Sequence, residues 1–268
     1  MLQYGERALY SRRVACDFKE CSRHGCRYSC SLMISFVVPA YNEELELPAT
    51  LRAIHAAADF CREPYEIIVA DDASSDSTAS IAASSGATVV GINRRQIAAA
   101  RNAGAHAARG AVFFFVDADT RITAAHISNA LAALDAGYAG GGARVKTDGV
   151  IPLWARICVR AFCAVYFGLN LGPGAFLFTS RANFAATGGF DETLFVGEEI
   201  YFTKALKKLG RFKLLREPII TSGRKLRIYS ARKILSRTFS IAFGGKRSAQ
   251  SREKLDLWYD GRRESRSA

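Results

Sequence analysis

"AVFFFVDADT" (Ala111–Thr120) decides how this chain is read. Six apolar residues, Ala111 to Val116, run straight into Asp117 and Asp119, which stand one residue apart. In an extended chain, residues two apart face the same side, so both carboxylates point together. A short, continuous apolar run is the mark of a strand buried on both faces, as in parallel sheets. Ligands of such sheets bind beyond the carboxyl ends of the strands. Paired aspartates there offer hard oxygen ligands to a divalent cation, which can itself bridge two phosphates.

The flanking sequence supplies the sheet. "ISFVVPA" (34–40) is a short buried strand stopped by Pro39, and "LPATLRAIHAAADF" (47–60) is a helix with Pro48 in its first turn. "YEIIVA" (65–70) is the second strand, and Asp76 caps the Ala-rich helix behind it. "ATVVG" (87–91) and the helix "QIAAARNAGAHAA" (96–108) lead back to the opening strand. A helix (124–136) and the strand "AGGGARV" (139–145) come next. This alternation predicts an α/β fold with a mostly parallel central sheet and helices on both faces. Past Lys146 the rhythm changes to an Arg-dotted aromatic helix (151–168), the glycine-punctuated "LGPGAFLFTS" (171–180), a helix at 198–209, the strand "FKLL" (212–215) and a basic tail.

Of the 268 residues, 49% are hydrophobic and 23% charged, which suits one large α/β domain with a sizeable core rather than a disordered chain. The longest apolar stretch (150–172) is interrupted by Arg156 and Arg160, so it does not read as a membrane span. The net charge of +12 is concentrated at one end: residues 203–268 hold nineteen basic and five acidic side chains, whereas 33–202 are net acidic. Such a tail suits an anionic membrane face, a phosphate-bearing ligand or nucleic acid. Apolar residues recur among the charges at 232–245, which predicts a partly helical tail.

Cys16, Cys21, Cys26 and Cys30 depart from the C-x2-C spacing of zinc sites, and Cys61, Cys158 and Cys163 read as reduced, buried thiols. The expected division is a leader outside the fold (1–32), with Met33 as the functional start, a catalytic domain (33–222) and a basic tail (223–268).

Acids stand at three strand exits: Glu43–Glu44, Asp71–Asp72 and Asp117–Asp119. Together with "SFVVPAYNEE", "YEIIVADDASSDST", "AAARNAGAHAARGAVFFFVDADT", "GGFDE" and "GEEIYF", in that order over residues 33–222, they resemble the motifs of family-2 glycosyltransferases. The resemblance implies the GT-A nucleotide-diphospho-sugar transferase fold. It further implies inverting transfer of a sugar from a UDP- or GDP-sugar type donor to a hydroxyl acceptor, lipid-linked or a growing saccharide, assisted by Mg²⁺ or Mn²⁺.

Carried over residue by residue, Pro39, Ala40, Tyr41 and Glu43 border the nucleoside, Tyr41 being equally readable as a packing aromatic. Asp72 accepts from the base, and Asp71 assists it or caps the next turn. Arg101 suits the diphosphate, against the plain reading of a helix-surface arginine. Asp117 meets the ribose or the metal, and Asp119 ligates the metal. Glu198–Glu199 stand where the family has Glu-Asp, so Glu199 takes the place of the base with one extra methylene. Acids there also favour a helix dipole. Gly174 lies in the acceptor-side floor. Arg224 and Lys225 close over diphosphate or touch an acceptor phosphate, or else begin the tail. His55, His106 and His126 sit in helical patterns and read as structural.

A nicotinamide-dependent dehydrogenase needs G-x-G-x-x-G after the first strand, where this chain has "PAYNEE". A sugar-phosphate nucleotidyltransferase needs a glycine-rich basic loop there. The remaining alternative is a non-catalytic nucleotide-sugar or nucleic-acid binding protein with the same fold and tail. The acids at three strand exits repel nucleic acid, so none is expected as a partner. The expected location is cytoplasmic, with peripheral contact to the anionic inner face of a membrane.

Overall fold

A computed structural model describes residues 32–230 and, beyond them, 232, 233, 236, 249 and 250. The expectations for the leader, its cysteine cluster and most of the tail helix lie outside the described residues. The chain runs β1 (Ile34–Ala40), α1 (Leu47–Cys61), β2 (Tyr65–Asp72), α2 (Thr78–Ser84), β3 (Thr88–Ile92), α3 (Ile97–Ala107) and β4 (Val112–Val116). It continues through β5 (Thr120–Arg121), α4 (Ala124–Asp135), β6 (Gly140–Thr147), α5 (Leu153–Gly168) and β7 (Phe176–Ser180). Last come α6 (Arg181–Thr187), α7 (Glu198–Leu209), β8 (Phe212–Thr221) and α8 (Arg224–Ile228).

These strands form one eight-stranded sheet in the order β3-β2-β1-β4-β7-β6-β8-β5. The expected parallel pairing holds for β3-β2-β1-β4 and again for β6 with β8. β7 runs antiparallel to both β4 and β6, and β5 antiparallel to β8. Pro39 stays within β1, because the pairing with β4 ends at Val37 and the missing N–H disturbs no ladder on that side. β2 runs two residues beyond Ala70, carrying Asp71 and Asp72 into register with Gly91 and Ile92. β8 is far longer than "FKLL" suggests, and its far end sets Thr221 opposite Thr120.

Side chains of β4 alternate between two cores, as the strand period demands. Val112, Phe114 and Val116 pack with Leu51 and Ile54 of α1 and Ile127 and Leu131 of α4. Phe113 and Phe115 pack on the other face with Ala98 of α3, Phe184 of α6 and Phe202 of α7. The N-cap of α2 is Ser77 rather than the expected Asp76, which stands one residue earlier and accepts from the Thr78 backbone N–H at 3.0 Å in a local turn. The buried His126 shares its Nδ1 with the backbone N–H of Thr123, and burial lowers its pKa, so it is structural.

Five of the seven buried residues of α3 are alanine or glycine, which lets it lie close against β1 and β2. At the closest point a Cβ added to Gly104 meets Val37 Cγ1 at 2.5 Å. Gly104→Val therefore destabilises the fold by about 1–3 kcal/mol through overpacking. Urea unfolding checks this, and a midpoint unchanged from wild type contradicts the tight α3–β1 contact.

Candidate active site

A cleft of about 680 Å³ opens at the carboxyl ends of β1, β2 and β4 and is closed on its far side by α5, α7 and α8. Every site residue expected from the sequence borders this cleft except Asp71. Asp71 is buried in β2, and its Oδ1 has no hydrogen-bond partner among the described residues.

Arg101 of α3 forms the floor and is 1% exposed. Its Nη1 donates to Glu198 Oε1 at 2.5 Å, and its Nη2 donates to Asp117 Oδ1 and to the Gly174 carbonyl, both at 2.9 Å. The guanidinium also lies 5.2 Å from the centre of the Phe190 ring. Arg101 thus serves the carboxylates beneath the cleft, and its burial overturns the plain reading of a helix-surface arginine. Gly174 has a matching reason to be glycine: an added Cβ comes within 2.9 Å of Arg101 Nη2. The glycine makes room for an arginine.

Asp72 binds the protein's own backbone. Its Oδ1 accepts from the N–H groups of Arg94 (2.7 Å) and Arg95 (2.8 Å), and its Oδ2 from that of Gln96 (2.7 Å). This fixes the loop into α3 and lays Arg95 over the Tyr41 ring, 3.6 Å from its centre. Gln96 and Asn102 in turn hold the chain from "GGFDE" (188–192) to Leu194: Gln96 Nε2 donates to the Leu194 carbonyl at 3.0 Å, and Asn102 Nδ2 donates to that of Phe190 at 2.9 Å. α7 begins four residues beyond Leu194, at Glu198.

At the mouth, Arg224 grips Glu43 with both nitrogens, at 2.6 and 2.5 Å, and lies 3.4 Å from Asp119 Oδ2. Asp119 Oδ1 accepts from the Thr221 hydroxyl at 3.1 Å, the product of the long β8. Among the described residues no group of three or more His, Cys, Asp or Glu can hold a metal. Two carboxylates, Asp117 and Asp119, suit Mg²⁺ or Mn²⁺ only when diphosphate oxygens and water complete the shell, as is usual for Mg²⁺ with nucleotides.

The acid pair at the start of α7 is split by its surroundings. Glu198 is buried in the ion pair with Arg101. Glu199 keeps partial exposure to the cleft and accepts a long hydrogen bond, 3.4 Å, from the Tyr166 hydroxyl of α5. Burial, followed by the charge of Glu198, raises the Glu199 pKa to about 8 against the opposing pull of Arg101. Burial also raises Asp117 to about 6, with Arg101 opposing and Asp119 assisting. Both values lie above those of an unfolded chain. The two groups therefore favour the folded state most at low pH, and that contribution is lost as pH rises through about 6 for Asp117 and about 8 for Glu199.

Sequence reasoning missed Tyr166, Thr221 and the apolar far wall, where Trp154 and Phe162 of α5 stand. Aromatic spacing in 151–168 marks a helix but does not say which side meets a cleft.

The sheet order and the carboxylates at its strand exits define the GT-A fold of nucleotide-sugar-dependent transferases. The family model for glycosyl transferase family 2 matches residues 35–185, and the chain belongs to that family. Among curated relatives, the undecaprenyl-phosphate 4-deoxy-4-formamido-L-arabinose transferase of Shewanella sediminis is 37% identical over 112 residues. That match takes in 39% of this chain and only 34% of the relative's length. Among solved structures, the mannosyltransferase PcManGT of Pyrobaculum calidifontis, in complex with GDP-Man and Mn²⁺, superposes with a TM-score of 0.60 at 22% identity, over 76% of this chain and 60% of that one. Glucosyl-3-phosphoglycerate synthase of Mycobacterium tuberculosis, with Mn²⁺ and UDP, gives 0.54 at 20% identity, over 85% and 80%. At these identities the two structures speak for the fold.

Arg101→Met removes the only cation that contacts both Asp117 and Glu198 among the described hydrogen bonds and ion pairs. Two carboxylates left without it cost on the order of 3 kcal/mol, less as protonation relieves them. Thermal unfolding of mutant and wild type across pH measures the difference. The deficit shrinks as pH falls from 8 toward 5.5; a deficit independent of pH means the loss is one of packing alone.

Proposed function

We propose that this protein is an inverting glycosyltransferase that moves a sugar from a nucleoside-diphosphate donor to a hydroxyl acceptor. The observation that carries the reading is the convergence, in one cleft, of strand-exit carboxylates on one side and the raised-pKa Glu199 on the other. The nucleoside lies in the half bordered by Pro39, Ala40 and the Tyr41–Arg95 pair. Asp72 shapes that half through the backbone it holds. Asp117 and Asp119 are the residues that would hold Mg²⁺ or Mn²⁺, and the ion would supply positive charge against the diphosphate. Arg224, at the mouth beside Asp119, is placed to turn to the same phosphates.

Glu199 is the base. Its carboxylate takes the proton of the acceptor hydroxyl as that oxygen bonds to the anomeric carbon, on the face opposite the breaking bond to diphosphate. Glu198 is unsuited to the task because it is buried in its ion pair with Arg101, away from an incoming acceptor. Glu199 is the member of the pair that keeps exposure to the cleft, and the Tyr166 hydroxyl lies 3.4 Å from it. The acceptor enters along the α5 side, and the relative that acts on undecaprenyl phosphate supports a lipid-linked one. The basic end of the chain supports peripheral contact with an anionic cytoplasmic leaflet.

Asp119→Ala abolishes Mn²⁺-dependent binding of a nucleoside diphosphate while leaving the far-UV circular dichroism unchanged. Calorimetric titration with and without Mn²⁺ decides it; undiminished binding in the folded mutant removes Asp119 from the metal.

Glu199→Gln abolishes transfer and spares donor affinity, since losing a base affects chemistry more than ground-state binding. In the wild type, kcat/KM rises with pH through about 8 as Glu199 of the free enzyme gives up its proton. Turnover within about tenfold of wild type in the mutant assigns the base elsewhere.

A further inference from the structure

α5 is an unusual helix for the surface of a monomer. Leu153, Ile157, Phe162, Val165 and Leu169, with Val150 just before the helix, are large apolar side chains between 54% and 91% exposed. Leu153, Ile157, Val165 and Leu169 stand at multiples of four residues, each step turning by about 40°, so they form a stripe that winds through about 160° of the outer side of the helix and over its end. Arg156 and Arg160, both exposed, border that stripe. The other side is occupied by the protein: Ala155 and Tyr166 are buried, and Trp154 and Val159 line the cleft. Phe162 belongs to both sides, being exposed and part of the cleft wall.

An apolar patch of this extent on a water-soluble surface marks an interaction site. Its chemistry selects the partner. A broad aliphatic and aromatic face edged by arginines matches helices that lie in the plane of a lipid interface, apolar side down, with guanidinium groups at the level of the headgroups. Among the described residues no helix is long and apolar enough to cross a membrane.

We propose that α5 is an interfacial helix: its outer stripe rests on an anionic leaflet, and its inner side forms the acceptor wall of the cleft. The acceptor is then an amphiphile that stays in the leaflet while its head enters past Phe162 toward Glu199. This moves docking from the basic tail to the body of the domain, and it rests on the glycosyl-transfer reading above for the identity of the cleft.

The test is vesicle sedimentation with the full chain, using phosphatidylcholine vesicles with and without phosphatidylglycerol. The wild type sediments with the anionic vesicles and is released by salt. The double variant Ile157→Gln/Val165→Gln lies outside the cleft lining and should bind those vesicles about tenfold or more weakly, as expected for apolar side chains withdrawn from lipid. Its Mn²⁺-dependent nucleotide binding stays at the wild-type level, which also certifies its fold. Should that variant fail to fold, Leu153→Gln/Leu169→Gln, at the ends of the stripe, takes its place. Wild-type binding retained in the variant assigns docking to the tail and overturns the proposal, as does a wild type that ignores anionic vesicles. A wild-type dimer that the variant converts to monomer also overturns it, since a second copy then covers the stripe. Loss of nucleotide binding in the wild type defeats the transfer reading instead, and leaves the vesicle result to stand alone.

Discussion

Burying a guanidinium costs several kcal/mol unless carboxylates and carbonyls replace the water it loses, and Arg101 is buried on those terms. Its partners come from three places far apart in sequence: Asp117 at the exit of β4, Gly174 before β7 and Glu198 at the start of α7. The parallel half of the sheet supplies the first, the antiparallel strand the second, and the helix over the second core the third. None of the three can shift without leaving a buried charge short of a partner. The run of small residues in α3 answers the same requirement, because only a helix lying close to β1 brings Arg101 beneath the strand exits.

That one cation also explains why two adjacent glutamates differ. Glu198 commits its charge to Arg101, whereas Glu199 feels burial and the charge of Glu198 with only a distant share of the compensation. A carboxyl that is hard to ionise is a strong base once ionised. The longer side chain, where a family member of the usual pattern has Asp, comes within 3.4 Å of the Tyr166 hydroxyl, whose single proton is shared with the nearer Gly172 carbonyl at 3.0 Å. The extra methylene therefore reaches toward the α5 side.

Much of this was legible in the sequence. A buried strand ending in two aspartates is visible as an apolar run with period-two acids behind it, and α7 is delimited by Gly197 and Gly210 around a first turn of acids. Simple alternation was enough for the parallel half. It was not enough for the direction of β7, because strand direction depends on the path of the crossover and not on the composition of the strand. Arg101 misled for a related reason: an arginine on an alanine-rich helix has the local pattern of a surface residue. Only the distant Asp117 and Glu198 make it an interior one. Tyr166 and Phe162 were illegible because aromatic residues at helical spacing look alike whether they face a core, a cleft or a lipid surface. Asp72 also holds three N–H groups of the next loop, a local backbone demand that side-chain motifs do not display.

The mouth of the cleft is balanced by a second arginine under looser terms. Arg224 reaches Glu43 with two short hydrogen bonds but stands 3.4 Å from Asp119, so its hold on Asp119 is the weaker of the two. The other connections of α8 lead away from the mouth. The Gly223 N–H donates to Asp148 Oδ1 at 2.9 Å, and Arg227 Nη1 donates to the Asp148 carbonyl at 3.1 Å. Asp148 lies between β6 and α5. The guanidinium that touches the donor side is thus tied, through one aspartate, to the segment that leads into the exposed helix. α8 in this way joins the mouth of the cleft, through Arg224, to the segment that precedes α5, through Asp148.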